Sequence, residues 1–341
     1  MPIRSVIAWG IAFFCAFSVC FSACTSKKPK GPGIQILTYS SLGSSGGFLD
    51  SVKDDFKRKT GCELRVETTL GAAQVLSYLE EEKQRKRIDW VMGIDELLYQ
   101  RASRYLDHSK APFHPDYSDL IAPHEKSGFY PLDYGALSFI YRKADFKGKA
   151  LPRTLTDLKK PEFRKKFIVQ DPRASSPGMI FFLFADSIVS VRDLRHQWLT
   201  LAPSWSASYQ MFLAKDAPMV WSYLTSLAYH ASKHEADEYD YVHFQEGLPL
   251  QVEGMALVNH VGDPFKDNPC NAAWLKYALS TPVQATLVSK QWMMPVLKHV
   301  TLPKFFEAVP EVKKGAVLPL SVEKVDALIS RFGREVQGDS L

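Results

Sequence analysis

The chain has 341 residues, 46% hydrophobic and 12% aromatic, which excludes a disordered or fibrous protein and is enough for sizeable buried cores. Lys and Arg number 42 against 37 Asp and Glu, for a net charge of +5, and basic residues are interspersed with acids, as where Lys83 to Arg87 follow Glu80-Glu81-Glu82. This balance excludes the dense basic tract of a nucleic-acid binder, so no nucleic-acid partner is expected. The N-terminus carries Arg4, then an apolar run over 6–21, then Ser22-Ala23 directly before Cys24. That order predicts a bacterial signal peptide over 1–23, and the run is shorter than the roughly 20 apolar residues a bilayer span needs.

Phe21-Ser22-Ala23-Cys24 resembles the lipobox of bacterial lipoproteins, which implies acylation of the Cys24 thiol and attachment to a membrane through the lipid. Ordinary cleavage near Ala23, with Cys24 free, is the alternative. The Ser, Lys, Pro and Gly residues that follow make 24–33 a flexible tether. Two cysteines remain beyond it, Cys62 and Cys270. No C-x-x-C spacing supports a metal or redox pair, and either one disulfide or two separate semi-buried thiols fits the sequence.

About two domains' length of mature chain predicts two lobes. A β-branched run over 34–39 stops at a Ser/Gly loop, and Phe48, Val52 and Phe56 then recur at helical spacing. Residues 64–68 predict a strand, 72–83 a helix, and 88–92 a strand ending at Gly93-Ile94-Asp95-Glu96. After a long apolar segment over 129–141, a strand is expected at 167–170, an apolar helix at 177–190, a helix at 206–214, a strand at 217–223 and a helix from Ser226. Another long strand covers 248–258, followed by helices such as 272–279. Such alternation predicts parallel sheet covered by helices.

The long segments around Asp133 and Gln251 bracket the middle of the chain. If both cross between lobes, 133–249 is one lobe and 34–132 plus 250–341 the other, with a cleft between them. Ligands of open parallel sheets bind beyond the carboxyl ends of the strands, which directs attention to the loops after Tyr39, Val91, Gln170 and Tyr223. Within Gln170-Asp-Pro-Arg173-Ala-Ser175-Ser176-Pro177-Gly178, Ser175 or Ser176 is placed to cap the following helix. Arg173 is expected to hold Asp171, and His230 to be structural.

That segment resembles one in the thiamine-binding proteins of bacterial ABC importers, and other stretches match in the same order. They are Gly93-Ile94-Asp95, Pro131-Leu-Asp133-Tyr134-Gly135, Trp205-Ser206-Ala-Ser-Tyr209, Ser222-Tyr223-Leu-Thr225-Ser226, Gln251-Val-Glu253, Gln291-Trp292 and Val300-Thr-Leu-Pro303. The resemblance implies a two-lobed α/β fold of the type II periplasmic-binding class, its lobes joined by two hinge segments. It implies a monomer in the periplasm or at the cell surface that binds thiamine or a thiamine phosphate, serves an ABC permease, needs no cofactor and is no enzyme. The phosphate end of such a ligand would meet Ser175, Ser176, Tyr223, Thr225 and Ser226, with Trp205 and Trp292 walling the cleft and Tyr39 and Asp95 facing the rings.

The chain departs from the family after Tyr39, where Ser40-Ser41 stand in place of an aspartate and the next loop lacks a tryptophan. Glu96, where an amide is expected, is a candidate to replace that charge. Other readings stay open: a ferric-iron, cation or anion carrier of the same fold, suggested by Tyr223, Tyr229 and His230; a surface protein that binds a partner; and a serine hydrolase using Ser45 in the G-x-S-x-G pattern of residues 43–47.

Overall fold

The computed structural model describes residues 31–312, 317–318 and 323–337. The signal peptide expected over 1–23, the acylation expected at Cys24 and the tether up to residue 30 lie outside these residues.

The first strand, β1 (Gly33–Tyr39), leads into a single turn, α1 (Ser40–Gly43), and then α2 (Phe48–Thr60). Phe48, Leu49, Val52 and Phe56 form the buried stripe of α2, as their spacing requires. There follow β2 (Glu63–Thr69), α3 (Ala73–Glu80), α4 (Glu82–Arg85), β3 (Trp90–Asp95) and α5 (Glu96–Ala102). The single helix expected over 72–83 is therefore two, because Glu81 adopts an extended conformation (φ −84°, ψ 105°). The long apolar segment is one strand, β4 (Tyr130–Arg142).

Next come β5 (Phe167–Gln170), α6 (Ser176–Asp186), α7 (Val191–Leu194), β6 (Trp198–Ala202), α8 (Trp205–Leu213), β7 (Met219–Tyr223), α9 (Ser226–Ser232) and β8 (Tyr239–Tyr241). Ten of the eleven residues of α6 are buried, which explains a sequence without a polar face. The chain continues through β9 (Leu248–Leu257), α10 (Pro264–Asp267), α11 (Pro269–Ala278), α12 (Thr281–Gln291), β10 (Met294–Pro295), β11 (Val317–Leu318) and α13 (Glu323–Gln337).

The main sheet runs β2-β1-β3-β9-β4-β7-β5-β6. Its outer thirds are parallel, β2-β1-β3 on one side and β7-β5-β6 on the other. Between them, β9 and β4 are antiparallel to each other and to their outer neighbours. Both long strands thus belong to both halves. The result is the two-lobed α/β architecture of the type II periplasmic-binding fold, and the inversion at its centre turns the carboxyl ends of the two parallel sets toward each other.

Cys62 and Cys270 are joined in a disulfide with Cα atoms 5.8 Å apart, closing a separation of 208 residues between the end of α2 and the start of α11. At the far end of the chain, α13 lies on α6 and α7, with the Phe332 ring against Phe182 and Arg331 paired with Asp186. Its Asp326 reaches Arg101 on α5 at 3.0 Å.

Candidate functional site

A cavity of about 400 Å³ opens where the two sets of strand ends meet. From the first half it takes Tyr39 at the end of β1 and the β2–α3 turn at Leu70 to Ala72. From the second it takes Ser175 and Ser176 after β5, Ser204 and Trp205 after β6, and Tyr223, Thr225 and Ser226 after β7. Glu253 from β9 and Gln291 to Met293 from the end of α12 complete it. Gly71 lets the two sides close tightly, since a Cβ there would stand 2.6 Å from the Ala174 carbonyl oxygen.

One wall is aromatic. The Trp205 indole stacks on Tyr209 at 5.2 Å and is fixed by its Nε1–H, which donates to Ser222 Oγ at 2.8 Å. Ser222 in turn shares a 2.9 Å hydrogen bond with Ser226. The aromatic row continues through Tyr229, whose ring is 6.3 Å from that of Tyr209, to Trp292, which meets the Tyr229 ring edge-on at 5.4 Å. Trp292 caps α12 in the left-handed region (φ 58°, ψ 39°), a backbone state that bulky residues seldom hold and that clusters at functional sites.

A second wall is made of hydroxyls. Ser176 and Thr225 are 5% and 2% exposed, and neither Oγ has a hydrogen-bond partner in the protein. Ser175 occupies the N-cap position of α6 but makes no side-chain capping bond. The expectation that Ser175 or Ser176 caps this helix is corrected to this extent: Ser175 holds the N-cap position, Pro177 removes one of the two N–H groups a cap could use, and no side-chain cap bond forms. Buried hydroxyls are normally satisfied, so this wall is suited to a polar or anionic group of a ligand.

The floor is acidic. The Tyr39 hydroxyl donates to Glu253 Oε2 at 2.6 Å and accepts from Gln291 Nε2 at 2.7 Å. The single Tyr223 hydroxyl proton is shared between Gln251 Oε1 at 2.8 Å and, more weakly, Glu253 Oε1 at 3.3 Å. Burial raises the Glu253 carboxyl to about 7, against the hydrogen bonds from the two phenols. Tyr39 and Tyr223 are pushed well above the usual phenol range, first by burial and then by the Glu253 charge. Gly93, at φ 74° beside the bulge in β3, leaves room for the Tyr39 ring, which a Cβ at that position would strike.

Of the residues expected at a site, Tyr39, Ser175, Ser176, Trp205, Tyr223, Thr225, Ser226 and Trp292 line this cavity; Asp95 and Glu96 do not. Asp95 caps α5 by accepting from the Leu98 N–H at 2.8 Å, and its other oxygen accepts from Gln251 Nε2 at 3.2 Å. Burial raises its carboxyl, and the nearby Ser176 hydroxyl, outside good hydrogen-bond geometry, moderates the rise. Glu96 points elsewhere, with one oxygen 2.7 Å from His124 Nδ1 and the other 2.7 Å from Lys126 Nζ. Those contacts outweigh its burial and lower its carboxyl.

Arg173 holds Asp171 in a two-pronged pair. His230 is fully buried, stacked on Tyr239 at 3.4 Å and hydrogen-bonded to Tyr209 and Glu235. It therefore cannot join Tyr223 and Tyr229 around an ion. Ser45 lies in an exposed turn between α1 and α2, away from the cavity. Sequence reasoning passed over Ser204, matched the segments of Glu253 and Gln291 without placing either at the site, and weighed Tyr229 only as an ion ligand. Glu253 had a signal: Gln251 and Glu253 alternate onto one face of an otherwise apolar strand.

Residues 95–318 match the model of the bacterial extracellular solute-binding protein family. The thiamine-binding periplasmic protein of Escherichia coli (strain K12) is 29% identical over 323 residues, covering 92% of this chain and 96% of its own. The solved periplasmic thiamin binding protein superposes with a TM-score of 0.79 at 28% identity, covering 91% of this chain and 98% of that one. The periplasmic binding protein AfuA from Actinobacillus pleuropneumoniae, solved with exogenous fructose-6-phosphate bound, shares the fold at a TM-score of 0.71 and 16% identity, covering 90% and 99%.

Proposed function

Because the chain belongs to the bacterial extracellular solute-binding protein family, we propose that it captures thiamine or a thiamine phosphate in this cavity and hands it to an ABC permease. The observation that carries the reading is the pairing of opposite chemistries across about 400 Å³, within the ~300–1,000 Å³ usual for small-molecule sites. Trp205, Trp292 and Tyr39 offer faces to two flat rings, one of them a cation. Ser176 and Thr225 offer unused hydroxyls to an alcohol or phosphate. Relatives and a solved structure carrying the thiamine-binding name cover nearly the whole chain.

In this reading β4 and β9 are the hinge strands and ligand contacts from both halves favour the closed state. The protein acts as a binding component and catalyses no reaction. Export by residues 1–23 and acylation of Cys24 would hold it to a membrane on the periplasmic or outer side. Labelling of cells with a radioactive fatty acid tests the anchor: Cys24→Ala should abolish incorporation. Calorimetry of the purified protein against thiamine, its phosphates, ferric iron and polyamines tests the ligand. Binding of thiamine or its esters alone supports the proposal, and binding of ferric iron alone replaces it with metal transport.

A further inference from the structure

Three carboxylates run in one row across the middle of the sheet. Asp95 on β3 and Asp133 on β4 are both register partners of Glu253 on β9. They are 3%, 0% and 4% exposed, respectively. Around them stand the phenols of Tyr39 from β1 and Tyr223 from β7, and the amides of Gln251 from β9 and Gln291 from α12. Asp133 has no hydrogen-bond partner on either oxygen. Among the described residues no Lys, Arg or His is paired with any of the three. Lys290, the basic residue of the cavity lining, is exposed.

Like charges directly opposite one another on adjacent strands repel, and a buried carboxylate without a cation keeps its proton. Of the three, Glu253 alone reaches the cavity, flanked there by two aromatic hydroxyls. We propose that Glu253 is the charge selector of the cavity: it favours a flat ligand with a permanent positive charge over a neutral one of the same outline, and releases its proton as that ligand enters. The inference rests on the thiamine reading and adds to it the charge rule and the proton linkage. The position of the Glu253 carboxyl near 7, set first by burial, puts the exchange where small changes in pH are felt.

The sign follows from linkage. A positive ligand favours ionised Glu253, so binding lowers its pKa and a proton leaves to solvent; affinity then rises with pH, by up to about tenfold per unit below 7. The experiment is calorimetry of the wild-type protein from pH 5.5 to 8.0, in two buffers of different ionisation heat. The ligands are thiamine and its neutral analogue with a thiophene in place of the thiazolium. Thiamine affinity should rise about tenfold or more over that range, with between a half and one proton released near pH 6.5, while the analogue shows neither effect. Glu253→Gln should weaken thiamine about 10- to 100-fold, flatten its pH profile and erase its advantage over the analogue.

Tight thiamine binding with a flat pH profile and no proton release overturns the inference and leaves the thiamine reading standing. Absence of thiamine binding at every pH sinks both. If Glu253→Gln does not fold, the wild-type proton count decides alone.

Discussion

Asp133 and Glu253 face each other across β4 and β9, the two strands shared by both halves of the molecule, and among the described residues no basic side chain is paired with either. Burial first, and the Glu253 charge second, hold the Asp133 carboxyl well above its usual range. Holding a proton on Asp133 at neutral pH costs the folded state stability.

Asp133→Asn should relieve it. At pH 8 the ligand-free variant is expected to melt a few degrees higher than wild type, a gain of about 1–2 kcal/mol. At pH 4, near the ordinary aspartate value of 3.8 where the unfolded chain also takes up the proton, the gap should narrow. Scanning calorimetry at both pH values is the check, and a variant less stable at pH 8 would contradict the account.

The Glu253 carboxyl predicts a pH dependence of stability. Its folded value, about 7, lies above the ordinary glutamate value of 4.5, so its contribution is fully present below about 4.5 and is lost as pH rises toward 7. The whole loss is about 3 kcal/mol. Buried His230, whose pKa is lowered by desolvation, acts in the opposite sense as pH rises toward 6.5. Thermal melts of wild type and Glu253→Gln between pH 4.5 and 8 separate them: the gap between the two proteins should change by about that amount.

Trp205→Ala removes a stacking face and leaves the core intact, since the indole is only partly buried. Thiamine affinity should fall about 3- to 30-fold, the range of one aromatic or cation–π contact, with a loss of melting temperature of no more than a few degrees. Titration calorimetry beside thermal melts reads both, and unchanged affinity would remove Trp205 from the ligand wall.

Ser176→Ala and Thr225→Ala together should reduce the affinity for thiamine phosphate relative to thiamine by about tenfold or more, the range for hydrogen bonds to a charged group. Because neither hydroxyl has a hydrogen-bond partner in the protein, the double variant should be at least as stable as wild type. Competition between the two ligands measures the ratio.

The Cys62–Cys270 bridge closes 208 residues, a loop for which chain entropy implies about 5 kcal/mol of stabilisation. Cys62→Ser with Cys270→Ser should lower the melting temperature markedly. Thiamine affinity should stay unchanged, because neither cysteine lines the cavity.

The strands, and the loops that carry the cavity, were legible because apolar runs ending in Ser and Gly have few other interpretations. Tyr39 and Tyr223 end strands read from such runs and Ser176 and Thr225 follow them, whereas Trp205 follows β6 and is legible only through the resemblance of its own segment. What the sequence hid depends on partners far away in the chain. Glu96 is drawn off by His124 and Lys126, 28 and 30 positions later, and Asp95 is used up as a helix cap. The opposition of Asp133 and Glu253 is a matter of register between strands 120 residues apart, which local pattern does not encode. The break at Glu81 and the strand β6 were missed for a simpler reason, since each is short and without distinct periodicity.

Trp292 closes α12 in a conformation that glycine would adopt more easily, by about 1–2 kcal/mol. Fold robustness and ligand capture therefore make opposing demands on a single codon. Under laboratory selection for heat resistance alone, that codon should drift toward glycine or asparagine, and the wall beside Tyr229 would disappear; selection for uptake would keep the indole and bear the strain.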